Sequence, residues 1–317
     1  MSLLTREGFS VLKYTLPGLL REYERIISRV EPPIVCVIDD IRLSALLPAN
    51  ARHGIPTVIC PQNIESFDAG PLRSEDRLYN LGRLVSFADE FSVLGQCIER
   101  LFISKVETGL IAGLGLASVH YPYQPVGQLV QQLENTREQR REGTVEPGLF
   151  LMIGTATHGS TRKSMAWFLD NAMCHGMPTG TKVVIAGKGT ELLTQIYGAD
   201  RDTAFEFRGW IEQAEMEDLL TRVRAVLVPQ LLGFGVVTRL TELAFAGVPT
   251  IVSAHPTMAL ELAPGLTPVE DRWDLWYQAI EDLARRHPLK EVSGTKSPPP
   301  PAGDSALVAT LTRLLGL

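Results

Sequence analysis

Residues 225–253 read AVLVPQLLGFGVVTRLTELAFAGVPTIVS. The apolar run 225–228 ends at Pro229 and predicts a short buried strand. A loop containing Gly233, Phe234 and Gly235 follows. Val237, Leu240, Leu243 and Ala244 then recur at helical spacing, and Gly247 with Pro249 stops that helix. Residues 249–253 predict the next strand. Strand, glycine loop, helix and strand form half of a doubly wound unit. In such a unit glycines let the backbone approach a ligand, and the helix N-terminus offers unpaired N–H groups to an anion. Arg239 and Glu242 stand three residues apart and share a helix face. Donors, a cation and a carboxylate together suit a nucleoside diphosphate, whose phosphates need donors and whose ribose hydroxyls need an acceptor. The plainer readings are a tight turn for the glycines, an i,i+3 pair for Arg239 with Glu242, and a solvated helix position for Glu242.

Working outward, the same alternation continues in both directions. Upstream, residues 149–153 (LFLMI) predict a buried strand, followed by a loop over 154–161 and a helix over 163–174. A strand over 182–186 is closed by Gly187-Lys188-Gly189; a helix over 191–197, a strand over 204–207 and a helix over 212–223 complete the approach. Downstream come a loop (AHPTMALE), a helix over 272–286, the spacer SPPPP and a last helix over 305–315. The first half predicts a helix within 9–30 interrupted at Pro17, then a strand over 34–38 (IVCVI) buried on both faces. A helix with Leu43, Leu46 and Leu47 inward follows, capped at Gly54, then a strand over 56–60. Further elements are expected as a helix over 78–88, a strand over 90–94, a helix over 96–105 and a strand over 118–121. Residues 128–146 are polar without a core stripe and read as a connector. This half carries about half the strands usual for such a domain. Either it is small and divergent, or its leading portion lies outside this sequence. The fold class is therefore α/β, two Rossmann-like doubly wound domains with the first incomplete. The expected division is 1–127, a connector 128–146, a nucleotide-binding domain 147–290, and a Pro-rich linker with a helix over 291–317.

Composition bounds the function. The chain has 317 residues, enough for two domains, with 45% hydrophobic and 21% charged residues. A formal net charge of −6 argues against nucleic-acid or polybasic membrane binding, which need basic excess. Cys36, Cys60, Cys97 and Cys174 are scattered with no C-x-x-C pair, so buried thiols in a reducing compartment are expected. No stretch approaches the about 18 apolar residues of a spanning helix, and the N-terminus lacks a secretory pattern. A soluble, cytoplasmic protein is the expectation, with peripheral membrane association left open.

With these motifs laid out, the chain resembles glycosyltransferase family 4, retaining enzymes with two facing Rossmann-like domains called the GT-B fold. The resemblance spans residues 34–286 and is strongest over 149–253. LFLMIGTATHGSTRKSMAWFL is similar to the family's opening strand, glycine and loop, here with Gly154, Trp167 and Phe168. KVVIAGKG resembles its second strand and glycine turn, and FEFRGWIEQAEMEDLL its short strand, glycine and helix. Gly233, Gly235, Arg239 and Glu242 match a subgroup pattern of G-x-G, a basic residue and Glu. IPTVICPQNIES is similar to the strand ending in H-N-x-E, with Gln62 in place of His and Asn63 and Glu65 kept. No Glu or Asp precedes the glycines, where many members carry one.

The resemblance implies transfer of a hexose from a UDP- or GDP-linked sugar to a glycan, lipid or small-molecule hydroxyl, with retention and with no cofactor or metal required. It implies that Glu242 binds the ribose and that Gly233, Phe234 and Gly235 lie at the phosphates. Gly154 and Gly187 would approach the pyrophosphate, with Arg162 or Lys163 as cationic partners. Arg239 would lie near the pyrophosphate or anchor the glycine loop. Gln62, Asn63 and Glu65 are the candidates for an acceptor-side cluster; the plainer reading is a satisfied turn. His158 and His255 follow strands at the ligand edge; the plainer reading is a solvated loop residue, which a lone loop His more often is. Trp167-Phe168, Trp273 and Trp276 read as core stripes. Two alternatives stay open: a non-catalytic glycosyltransferase-like nucleotide-binding or partner subunit, and a nucleotide-sugar 2-epimerase.

Overall fold

Two all-parallel sheets organise the chain, one of four strands and one of six among the described residues. The computed structural model describes residues 17–68, 77–143, 145–197, 204–231, 235–260, 264–286 and 303–316. Two compact units hold these sheets. The first comprises Met1–Tyr123, Phe234–Val236 and Pro301–Leu317; the second comprises Gln124–Gly233 and Val237–Pro300.

In the first unit β1 (Cys36–Ile38), β2 (Thr57–Ile59), β3 (Glu99–Phe102) and β4 (Val119–His120) pair in chain order. The expectation that β1 is buried on both faces is corrected: Val37 is 45% exposed. The strand lies at a sheet edge, where an apolar run alone does not tell which face is covered. β2 is interior, and all three of its residues are buried. Between them Asp40 caps the 3-10 turn Ile41–Leu46 by accepting from the Arg42 N–H, and Gly54 at φ 65° ends the following helix Leu47–Arg52.

A second correction concerns residues 90–94, expected as a strand. They belong to the 20-residue helix Arg77–Gln96. Phe87, Phe91 and Leu94 fall at helical spacing and pack with Ile38, Ile59 and Ile111; a short apolar run does not separate strand from helix by itself. The true strand, β3, was hidden by its charges. Arg100 is buried there because its guanidinium donates to the carbonyls of Leu94, Cys97 and Ala117.

The second unit carries β5 (Glu146–Ile153), β6 (Lys182–Ala186), β7 (Phe205–Gly209), β8 (Val223–Val228), β9 (Thr250–Ser253) and β10 (Leu266–Val269). Their order is β10-β9-β8-β5-β6-β7, so the direction of progression reverses between β5 and β8. Alternate residues feed opposite faces. Phe150, Met152, Val183, Ile185, Ala225 and Leu227 join one cluster, and Leu149, Leu151, Val184, Val226 and Val228 join the other. Both faces are covered, which is why these strands read as unbroken apolar runs. On the first face Trp276 meets Trp167 and Phe168 at ring distances of 5.9 and 5.7 Å in edge-on geometry, as the core-stripe reading expects.

Two features of this unit were not legible. β10 (LTPV) carries Pro268 in a strand, tolerated because it is the outer strand of the sheet. Within residues 128–146, expected as a polar connector without a core stripe, Gln128–Arg141 form a helix whose buried positions are Leu133, Thr136, Arg137 and Arg140. Arg140 donates to the carbonyls of Leu220, Thr221 and Val223, the last at 2.8 Å. Arg140, bonded to carbonyls where the helix Gln213–Arg222 gives way to β8, lets a charged residue take a buried position in this helix.

Candidate functional site

At the carboxyl ends of β5, β6 and β7 the second unit encloses a cavity of about 480 Å³. The loops that form its floor are bonded to one another. Gly154 N donates to Ala186 O at 3.1 Å, Ala156 N to Lys188 O at 2.8 Å, and Gly187 N to Gly209 O at 2.7 Å. This packing leaves no room for side chains. A Cβ on Gly187, which has φ 120°, would lie 2.2 Å from the carbonyl oxygen of Gly154. A Cβ on Gly154 would lie 2.7 Å from Thr161 Cγ2 and 3.4 Å from Arg239 Nη1. The cavity lies beside the switch point of the sheet, where open α/β folds bind their ligands.

The helix Thr238–Phe245 presents Arg239 and Glu242 to the same cavity. Its inner positions Leu240, Leu243 and Ala244 are buried against the sheet, so the register of this helix fixes both polar residues. Arg239 donates to the carbonyl oxygen of Ile153 at the end of β5. Burial pulls this guanidinium below its ordinary pKa, and the nearby Glu242 carboxylate acts in the opposite sense. Arg239 is thus tied to the turn that precedes Gly154.

Four residues singled out in the sequence, Gly154, Gly187, Arg239 and Glu242, line this one cavity. Arg162 and Lys163 do not; both are exposed on the first turn of the helix Gly159–His175. Gly233 and Phe234 lie outside the described residues. Gly235 is half-buried two residues before Val237, the N-cap of Thr238–Phe245. The segment leading to that loop is tethered: Leu231 N donates to Ser164 Oγ at 3.0 Å, Gln230 N to Ser253 Oγ at 2.9 Å, and Ser253 Oγ to Asp271 at 2.5 Å. His158 is exposed and caps Gly159–His175 without a side-chain bond, while His255 opens the 3-10 turn His255–Ala259.

Sequence reasoning missed several lining residues. Lys188 brings a cation from the Gly-Lys-Gly turn, and Trp210, 69% exposed, stands at the rim just after β7. Ile211 and Met216, with Leu129 and Leu133, add an apolar wall. A Lys between two glycines after a strand was a usable signal. The apolar wall was not, because it gathers three separate elements.

In the first unit Gln62, Asn63 and Glu65 follow the carboxyl end of β2, with Gln62 and Glu65 exposed and Asn63 half-buried. The backbone over residues 64–66, where the short helix Glu65–Asp68 begins, is held by side chains. Ile64 N donates to Glu107 Oε1 at 2.7 Å, and Glu65 N and Ser66 N to the two oxygens of Glu90 at 2.9 and 3.0 Å. Burial raises the Glu90 carboxyl above its ordinary pKa, while the Ser66 and Glu65 bonds draw it down and the Glu65 charge adds to the rise. Among the described residues no three His, Cys, Asp or Glu side chains gather as a metal-ligand set, and no helix is long and apolar enough to cross a membrane.

No protein-family model matches the sequence, and no curated protein matches it. Solved structures do. The Anabaena protein HepE in complex with UDP and glucose superposes with a TM-score of 0.62 at 13% identity, covering 93% of this chain and 81% of HepE. The glycosyltransferase AviGT4, involved in avilamycin A biosynthesis, gives 0.57 at 16% identity, with 96% of this chain and 81% of AviGT4 covered. The UDP-GlcNAc 2-epimerase of Methanocaldococcus jannaschii gives 0.53 at 13% identity, with 94% and 81% covered. The chain has the GT-B fold. At these identities the likeness is one of fold, and GT-B here spans transferases and epimerases alike.

Proposed function

We propose that this protein is a retaining glycosyltransferase that moves a hexose from a nucleoside diphosphate sugar to a hydroxyl acceptor. The observation that carries the reading is the convergence of Gly154, Gly187, Arg239 and Glu242 on one cavity at the switch point of the six-stranded sheet. Glu242 would accept from the ribose hydroxyls, and the apolar wall of Ile211 and Met216 would take the base. Lys188 and the first-turn N–H groups of Gly159–His175 would face the diphosphate. Arg239 would keep the Gly154 turn in place through its bond to the Ile153 carbonyl. In such chemistry the developing charge sits on the leaving diphosphate, so fixed donors there supply most of the catalysis. The reading calls for no cofactor beyond the sugar nucleotide. It fits a reducing cytoplasm, since all four cysteines are unpaired.

Calorimetry with UDP, GDP and their sugars tests the donor site. Wild type is expected to bind one nucleotide class, and Glu242→Ala to weaken it about tenfold or more, as the loss of hydrogen bonds to a charged group implies. Equal affinity in the variant refutes the ribose role, and no binding at millimolar nucleotide refutes the donor site. The epimerase structures of the same fold favour a second reading, nucleotide-sugar 2-epimerisation. Incubation of UDP-GlcNAc without acceptor separates the two: a new epimer supports the second reading, and sugar transfer in the presence of a hydroxyl acceptor supports the first.

A further inference from the structure

Two carboxylates that the proposed donor chemistry does not use are buried in the first unit, and both are aimed at the start of the short helix Glu65–Asp68. Glu107 is 1% exposed and Glu90 8%. Between them they accept from three successive backbone N–H groups, those of Ile64, Glu65 and Ser66. Two turns before Glu90 on the same helix, Arg83 Nε donates to Ser66 O at 3.0 Å. Anions thus hold the N–H side of residues 64–66 and a cation holds a carbonyl. Taking a carboxylate out of water is costly even when it is bonded. The first N–H groups of a helix have no partner within it, and here buried carboxylates rather than water accept from them. The held segment contains Glu65 and directly follows Gln62 and Asn63 beyond the carboxyl end of β2, the edge at which parallel sheets present ligand-binding side chains.

We infer that Glu90 and Glu107 are positioning residues: they fix the backbone of residues 64–66 and so set Gln62, Asn63 and Glu65 for the acceptor side of the transfer. The inference rests on the glycosyltransferase reading above. Neither carboxylate is exposed enough to meet a substrate, so each acts through the segment it holds. Groups that contact reacting atoms need a supporting shell that locks them to within about 0.5 Å, and bonds from buried charges to consecutive amides provide such a lock.

Amide hydrogen exchange on the full chain tests the clamp without reference to activity. In wild type the amides of Ile64, Glu65 and Ser66 are expected to be protected, and Glu90→Gln or Glu107→Gln to speed their exchange about tenfold or more. Free exchange in wild type, a result that needs no variant to fold, overturns the proposal. So does unchanged exchange in folded variants. Transfer from UDP-glucose to n-octyl glucoside then reads the function. Turnover is expected to fall in Glu90→Gln while calorimetric affinity for UDP stays at the wild-type value, with Glu90→Asp restoring part of it. Faster exchange with unchanged turnover overturns the acceptor role. Failure of the wild type to bind UDP or GDP instead removes the glycosyltransferase reading, and the acceptor role with it, while exchange still decides the clamp.

Discussion

Gly187 has no space for a methyl group: its φ of 120° and a Cβ position 2.2 Å from a backbone oxygen are both closed to L side chains. Gly187→Ala is therefore expected to destabilise the protein by at least about 2 kcal/mol, from backbone strain and overpacking together. It should weaken nucleotide binding beyond that, because the Gly154 turn must move. Denaturant unfolding and calorimetry measure the two effects; a variant of wild-type stability would show that the turn can relax. At this scale the sequence revealed residue types and spacing, and the reason for each glycine lay in its neighbours. Arg239 shows the same limit. Its spacing to Glu242 was visible, but its bond to the Ile153 carbonyl joins residues 86 positions apart.

The helix Thr238–Phe245 is the element on which the donor site depends. It has eight residues, too few for stability alone, so burial of its inner face holds it. Leu240 is fully buried. Leu240→Ala is expected to cost about 2–5 kcal/mol and to lower nucleotide affinity by letting Arg239 and Glu242 shift. Chemical denaturation and calorimetry check both; loss of stability with unchanged affinity would show that the helix register does not set the site. The boundaries of this helix and of β6 were legible because spacing, Gly247 and the Gly-Lys-Gly turn all agreed. β3 and the helix Gln128–Arg141 were not, because buried arginines such as Arg100 and Arg140, which donate to backbone carbonyls, imitate surface residues in a sequence.

On the scale of the molecule, binding and stability are linked. If the cavity holds a nucleoside diphosphate, a hundredfold excess over Kd stabilises the folded state by about 2.7 kcal/mol, which raises the melting temperature roughly 5 to 10 °C for a unit of this size. Scanning calorimetry with UDP and with GDP is expected to show this for one of them and to lose most of it in Glu242→Ala. No shift with either would count against the donor site.

The sequence by itself determined the α/β class, the alternation of strands and helices from β5 to β9, and the short list of polar residues at strand ends. These follow from local patterns: apolar runs, helical spacing, and glycine or proline at the stops. Only the tertiary structure decided which of those residues share a site. Strand order β10-β9-β8-β5-β6-β7 puts the ends of β5, β6 and β7 beside a helix that follows β8, so Gly154, Gly187, Arg239 and Glu242 meet. The same order leaves Arg162 and Lys163 outside the cavity. Parallel pairing joins segments far apart in the chain, and no local pattern carries that information.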